Sequence, residues 1–85
     1  MTFDKIWSRI ELNSGRVFAL KRGQEFTYEV RAGSVWPNRV NRNLHISQFR
    51  QAFELLPLTG PGAIQHLQGP SYIFAILSDT RIVEG

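Results

Sequence analysis

The chain has 85 residues, 42% of them hydrophobic and 12% aromatic, with no cysteine and a formal net charge of +3. That length admits one domain, residues 1–85, because a second core would bury too little apolar surface to offset the entropy of ordering it. Without cysteine neither a disulfide framework nor a thiolate metal site can form, and the longest apolar run, the six residues YIFAIL, falls far short of the roughly 20 that span a bilayer. The opening MTFDKIWSRI lacks the basic start and apolar stretch of a signal peptide, so a cytoplasmic chain is expected.

Phe3, Ile6, Trp7 and Ile10 recur at i, i+3, i+4 and i+7, the stripe of an amphipathic N-terminal helix. Thr2 can cap it, Asp4 suits its first turn and Gly15 can close it. Trp7 is expected in the core. Further on, Phe26, Tyr28 and Val30 alternate with Thr27, Glu29 and Arg31, the period of a half-buried strand. Gly23 and Gly33 mark turns at KRGQ and RAGS, which predicts a three-stranded antiparallel meander over about residues 16–21, 25–31 and 34–37. Pro37 cannot donate to a ladder, so the third strand ends there or lies at an edge.

After the loop VWPNRVNRNLHISQF, Ser47 is the expected cap of a second helix that buries Phe49, Ala52, Phe53 and Leu56. Pro57 stops it by disfavouring helical geometry at the preceding residue. A short helix over about 62–68 would bury Ala63, Ile64 and Leu67. The run YIFAIL is apolar all round, so period cannot separate a helix from a central strand. Pro70, Ser71 and Asp79 are helix punctuation and favour the helix. Ile82 and Val83 are expected to fold back against the sheet.

These elements predict an α+β fold: an N-terminal helix and a three-stranded antiparallel β-meander covered on one face by two or three helices. The expected core is Phe3, Ile6, Ile10, Phe18, Phe26, Tyr28, Val30, Phe49, Phe53, Leu56, Ile64, Leu67, Ile73, Ile76 and Leu77.

Chemistry is sparse. His45 and His66, the only histidines, fall in different elements without a metal-ligand spacing, so no metal and no cofactor are assigned. Ser71 follows Gly-Pro as in a sharp elbow, but G-x-S-x-G is absent and a helix-start residue explains it. Glu25 and Glu29 share a strand face yet stand four residues apart, at about 3.3 Å per residue too far for paired carboxylates. TGPGAIQ sets two glycines before a short helix, where free amides can receive an anion. Its central proline removes a donor and the preceding element is a helix, so it reads as a turn. No catalytic residue is assigned and the chain is not expected to be an enzyme.

Charge placement says more. Eight of the ten cations are arginine, and between Val30 and Phe53 there is no acid while Arg31, Arg39, Arg42 and Arg50 fall inside that window. Arginine forks pair with phosphates and base edges and stack on rings. Trp36 offers a stacking face, Asn38, Asn41 and Asn43 offer hydrogen bonds, and Arg39, Arg42 and Arg50 offer charge. The loop runs into the start of the Ser47 helix, whose amides favour phosphate. These residues point to a non-enzymatic module that contacts nucleic acid. The same stretch also fits an ordinary solvated loop, a contact in a homo-oligomer, or a small-ligand pocket lined by Trp36, Arg31 and His45.

Overall fold

The computed structural model describes all 85 residues. In chain order they form α1 (Phe3–Leu12), β1 (Phe18–Ala19), β2 (Glu25–Phe26), β3 (Tyr28–Arg31), β4 (Ser34–Pro37), β5 (Leu44–His45), α2 (Ile46–Phe53), a 3-10 turn (Pro61–Ile64), α3 (Pro70–Leu77) and α4 (Thr80–Val83). The fold is α+β, with a three-stranded antiparallel sheet in the order β3-β4-β5 and a separate β1-β2 pair. No helix is long and apolar enough to cross a membrane.

α1 forms for the reasons its sequence supplies. Thr2 accepts from the Lys5 amide at 3.4 Å, Asp4 sits in the positive first turn, and Phe3, Ile6 and Ile10 are buried. The helix closes at Asn13 rather than at Gly15, because the Asn13 amide and its side-chain Nδ2 both donate to the Arg9 carbonyl. Gly15, at φ +85, then turns the chain so that its amide reaches the Tyr28 carbonyl at 2.7 Å. Trp7 is half-buried, edge-on to Phe49 with centroids 5.8 Å apart.

The expected meander is redistributed over two sheets. Its middle strand breaks at Thr27, so that β2 pairs with β1 while β3 pairs with β4, from Tyr28↔Pro37 to Arg31↔Ser34. The third strand of the main sheet is β5, which comes out of the polar loop and pairs with Ser34 and Val35. Alternation survives the break, with Phe26 and Tyr28 buried and Glu29 and Arg31 exposed, because it reports which face a side chain takes and not which neighbour its backbone meets. Pro37 is the last residue of β4, beyond the reach of β5. Ala32 and Gly33 join β3 to β4 at φ +50 and +73, the pattern of a two-residue type I′ turn.

α2 is capped by His45, not Ser47: the His45 backbone is extended and its Nδ1 accepts from the Ser47 amide at 3.1 Å. The short helix expected over 62–68 is only the 3-10 turn, which buries Ile64 and leaves Ala63 exposed; Leu67, beyond its end, is also buried. YIFAIL is helical, opened by Gly69 in the left-handed region and Pro70 at the first position. Ile82 and Val83 belong to α4, whose main contacts are with α1 and α3; Arg9 Nη1 donates to the Ile82 carbonyl at 3.0 Å. The core holds most of the expected residues. Val30, Phe53 and Leu56 are only half-buried, whereas Val35, Leu44, Ala52, Ala75 and Ile82 are buried in addition.

One polar tie enters this core and a second lies at its edge. The Tyr28 hydroxyl donates to the Ile10 carbonyl at 2.7 Å, and burial pushes the phenol well above its ordinary range. Near the C-terminus, Arg81 grips the Asp79 carboxylate through Nε and Nη2, both at 2.9 Å, and donates to the Val17 carbonyl at 2.8 Å. Its guanidinium lies 4.0 Å from the Phe18 ring centroid. Hydrogen bonding from Arg81 holds the Asp79 carboxyl below the usual carboxylate range.

Candidate nucleic-acid interface

Strand register builds the surface. Glu29 stands opposite Trp36, Arg31 opposite Ser34, and Ser34 opposite His45, so these five share the face turned away from Tyr28, Val35 and Leu44. The Arg31 guanidinium rests 4.8 Å from the Trp36 ring centroid. One face of the indole is therefore covered by the chain's own arginine, which leaves the charged plate of the guanidinium outermost. Trp36 Nε1 is buried and has no hydrogen-bond partner, alone among buried side-chain polar atoms. A buried donor without an acceptor is costly, of order 1–3 kcal/mol.

Beside it lies a depression of about 420 Å³ whose lining includes Glu29, Arg31, Trp36, Asn38, Val40 and Asn41. The loop that forms it is anchored at both ends. Asn38 Oδ1 accepts from the Thr27 amide at 2.9 Å, and the Asn38 amide donates to the Thr27 carbonyl at 2.9 Å. These two bonds bridge the break between β2 and β3. Asn43 Nδ2 donates to Ser34 Oγ at 3.0 Å, which satisfies a hydroxyl on a buried residue. Between the anchors, Arg39, Asn41 and Arg42 are exposed; Arg39 reaches only the Glu25 carbonyl, at 3.5 Å.

The structure thus gathers Arg31, Trp36, Asn38 and Asn41 at one depression, with Arg39 and Arg42 exposed on the same loop but outside its lining. Asn43 faces Ser34. Arg50 belongs elsewhere, on α2, with its guanidinium 4.8 Å from the Phe3 ring centroid at the seam with α1. His45 lines no part of the depression, because its ring caps α2. That cap occupies the Ser47 amide, and the Ile46 amide donates to the Gly33 carbonyl at 2.9 Å, so two donors expected for phosphate are already used. Glu29 belongs to no sequence-derived site, and Arg31 is expected there only as part of the small-ligand pocket with Trp36 and His45. The period-two pattern carried the signal, since it places both on one face, but their approach to Trp36 depends on the Ala32-Gly33 turn register.

No family model, curated protein or solved structure matches this chain. The functional reading therefore rests on the chemistry of this surface.

Proposed function

We propose that the chain is a non-enzymatic binding module whose Trp36–Asn43 loop contacts nucleic acid. The observation that carries this reading is unneutralised charge: Arg31, Arg39, Arg42 and Arg50 are all exposed, and none takes part in an ion pair, the molecule's one ion pair being Asp79–Arg81. Guanidinium groups outside ion pairs keep most of their donors for phosphate. Arg39 and Arg42 engage the backbone of the polymer. Asn41 and the free Nδ2 of Asn38 meet base edges, and the Arg31–Trp36 pair presents a flat cationic plate. The depression's lining holds no histidine and a single carboxylate, Glu29, which supports binding rather than catalysis.

Fluorescence anisotropy with labelled single-stranded RNA, single-stranded DNA and duplex tests the reading across a salt series. Two phosphates neutralised on a single strand give a log–log salt slope of about −1.4, and the Arg39→Ala, Arg42→Ala double variant should flatten it. Absence of binding at low salt, or a double variant that binds like the parent, would overturn it. Sedimentation at micromolar concentration checks the competing use of the loop: a dimer that the same double variant dissociates assigns it to a subunit contact.

A further inference from the structure

A second depression, of about 1020 Å³, lies between the β1–β2 turn and the segment around residues 59–63, with Ser71 on its wall. It shares no lining residue with the depression beside Trp36. We propose that it binds the phosphate group of a small polar phosphate ester, with Lys21 and Arg22 as its cationic partners.

Four observations converge on that ligand. First, the turn is tight: the Leu20 amide donates to the Gln24 carbonyl and the Gly23 amide to the Leu20 carbonyl, both at 2.8 Å, with Gly23 at φ +97. It holds Lys21 and Arg22 side by side at its tip, neither of them in an ion pair. Adjacent like charges repel, and a divalent anion between them removes that repulsion. Second, no acid lines the depression, while Gln24, Thr59 and Ser71 add neutral hydrogen-bonding groups.

Third, Gly60 stands at the lysine. A Cβ built on it would lie 3.3 Å from Lys21 Nζ, its only near neighbour, so the ammonium sits against bare backbone. Gly60 is buried and its amide donates to no group of the chain, where buried amides are nearly always paired. Fourth, the size and polarity restrict what the phosphate is attached to. Pockets of about 300–1,000 Å³ hold whole small molecules, more than a bare phosphate. Only two of the ten lining residues are hydrophobic, so the carbon skeleton is itself polar, as in a sugar phosphate, and neither acyl nor aromatic.

Amide-resolved NMR titration tests the site with inorganic phosphate, ribose 5-phosphate and, as controls, ribose and sodium sulfate. The expected result is a saturable shift of the Gly60 amide and its neighbours, with ribose 5-phosphate at least about tenfold tighter than phosphate, because the skeleton adds contacts. Lys21→Ala with Arg22→Ala should weaken binding at least about tenfold. Both residues are exposed and unpaired, so the variant keeps the fold. Gly60→Ala, whose backbone is extended at φ 173, retains both charges but sets a methyl beside the ammonium and should also weaken binding. Arg39→Ala with Arg42→Ala should leave it unchanged, which separates this site from the nucleic-acid surface. The proposal is overturned by any of three results: no saturable shift up to about 10 mM ester, equal response to sulfate and ester, or a response unaffected by loss of Lys21 and Arg22.

Discussion

Removing one oxygen from Tyr28 measures how firmly β3 is tied to α1. Tyr28 is 1% exposed, and its hydroxyl gives the Ile10 carbonyl a hydrogen bond at 2.7 Å. Ile10 lies in the last turn of α1, where the Ser14 amide that would ordinarily serve it donates to Glu11 instead, at 3.2 Å. The phenol is therefore the carbonyl's partner. Tyr28→Phe keeps the ring, with its centroid 5.2 Å from that of Phe18, and strands a buried acceptor. The expected loss is about 1–3 kcal/mol, the desolvation cost of such a group rather than the smaller net worth of a paired bond. In a domain of this size that lowers Tm by roughly 4–8 °C per kcal/mol.

The pH dependence carries an independent sign. Burial raises the Tyr28 pKa, so the folded state holds the proton more tightly than the unfolded chain. The associated stability is complete below about pH 10, the ordinary tyrosine value, and is lost as pH rises beyond it. Tyr28→Phe lacks this term, so the gap between parent and variant should narrow as pH climbs above about 10. Urea denaturation followed by tryptophan fluorescence at neutral and alkaline pH reads both effects, with no change expected in the m-value. A loss under about 0.5 kcal/mol at neutral pH, or parallel alkaline limbs, would refute the reasoning.

Gly69→Ala should destabilise by at least about 2 kcal/mol, because φ is +55 and the new Cβ would stand 2.7 Å from Cδ2 of the fully buried Leu44; chemical denaturation gives the value. Ala32→Asn should stabilise by about 0.5–1 kcal/mol, since a non-glycine residue without a polar side chain is held at φ +50 in the β3–β4 turn; a loss of stability in the same assay would exclude the turn geometry. Asp79 has a depressed carboxyl pKa, so its contribution is present above the ordinary value of 3.8 and lost as pH falls below it. Asp79→Asn should accordingly flatten the acid limb of the stability profile, read by thermal melts between pH 2 and 6. Asn38→Ala removes the acceptor for the Thr27 amide and should cost about 0.5–1.5 kcal/mol. It should also weaken nucleic-acid binding while leaving the salt slope unchanged, because no charge is lost.

Much of the architecture is written in local pattern. The stripes of α1 and α2 are recoverable from spacing because each helix buries one face. YIFAIL has no such asymmetry, and its helical state is legible only through its punctuation, Pro70, Ser71 and Asp79, of which Pro70 suits the first helical turn and no central strand. What local pattern cannot express is pairing between distant segments. The break at Thr27 is enforced by Asn38, eleven residues on, and β5 is two residues hidden in a polar loop, too short to leave a periodic trace. The capping residue moved from Ser47 to His45 for a similar reason: β5 carries the chain into α2 without a gap, so the last strand residue is also the cap. For the candidate site the residue types were readable, but their grouping was not. Arg31 reaches Trp36 through the register set at Ala32-Gly33, whereas Arg50, similar in sequence terms, is turned by α2 toward Phe3.

The same long-range contacts explain how a polar loop can recognise anything. A free eight-residue segment would lose its conformational freedom on binding, and that entropy would offset much of a few weak polar contacts. Here the ordering is completed by folding. Asn38 is fixed to Thr27, Asn43 to Ser34, and β5 closes the far end against β4, while Val40 is half-buried beneath the tip. Only the stretch from Arg39 to Arg42 stands between these anchors, and it carries the exposed charges. The asparagines therefore divide the work: Asn43 holds the loop's shape, Asn38 does so through Oδ1 while its Nδ2 stays free, and Asn41 is left wholly to a partner. The acid-free composition follows from both tasks together, since a carboxylate at position 43 would offer no donor to Ser34, and one at either anchor would neutralise the arginines that the loop presents.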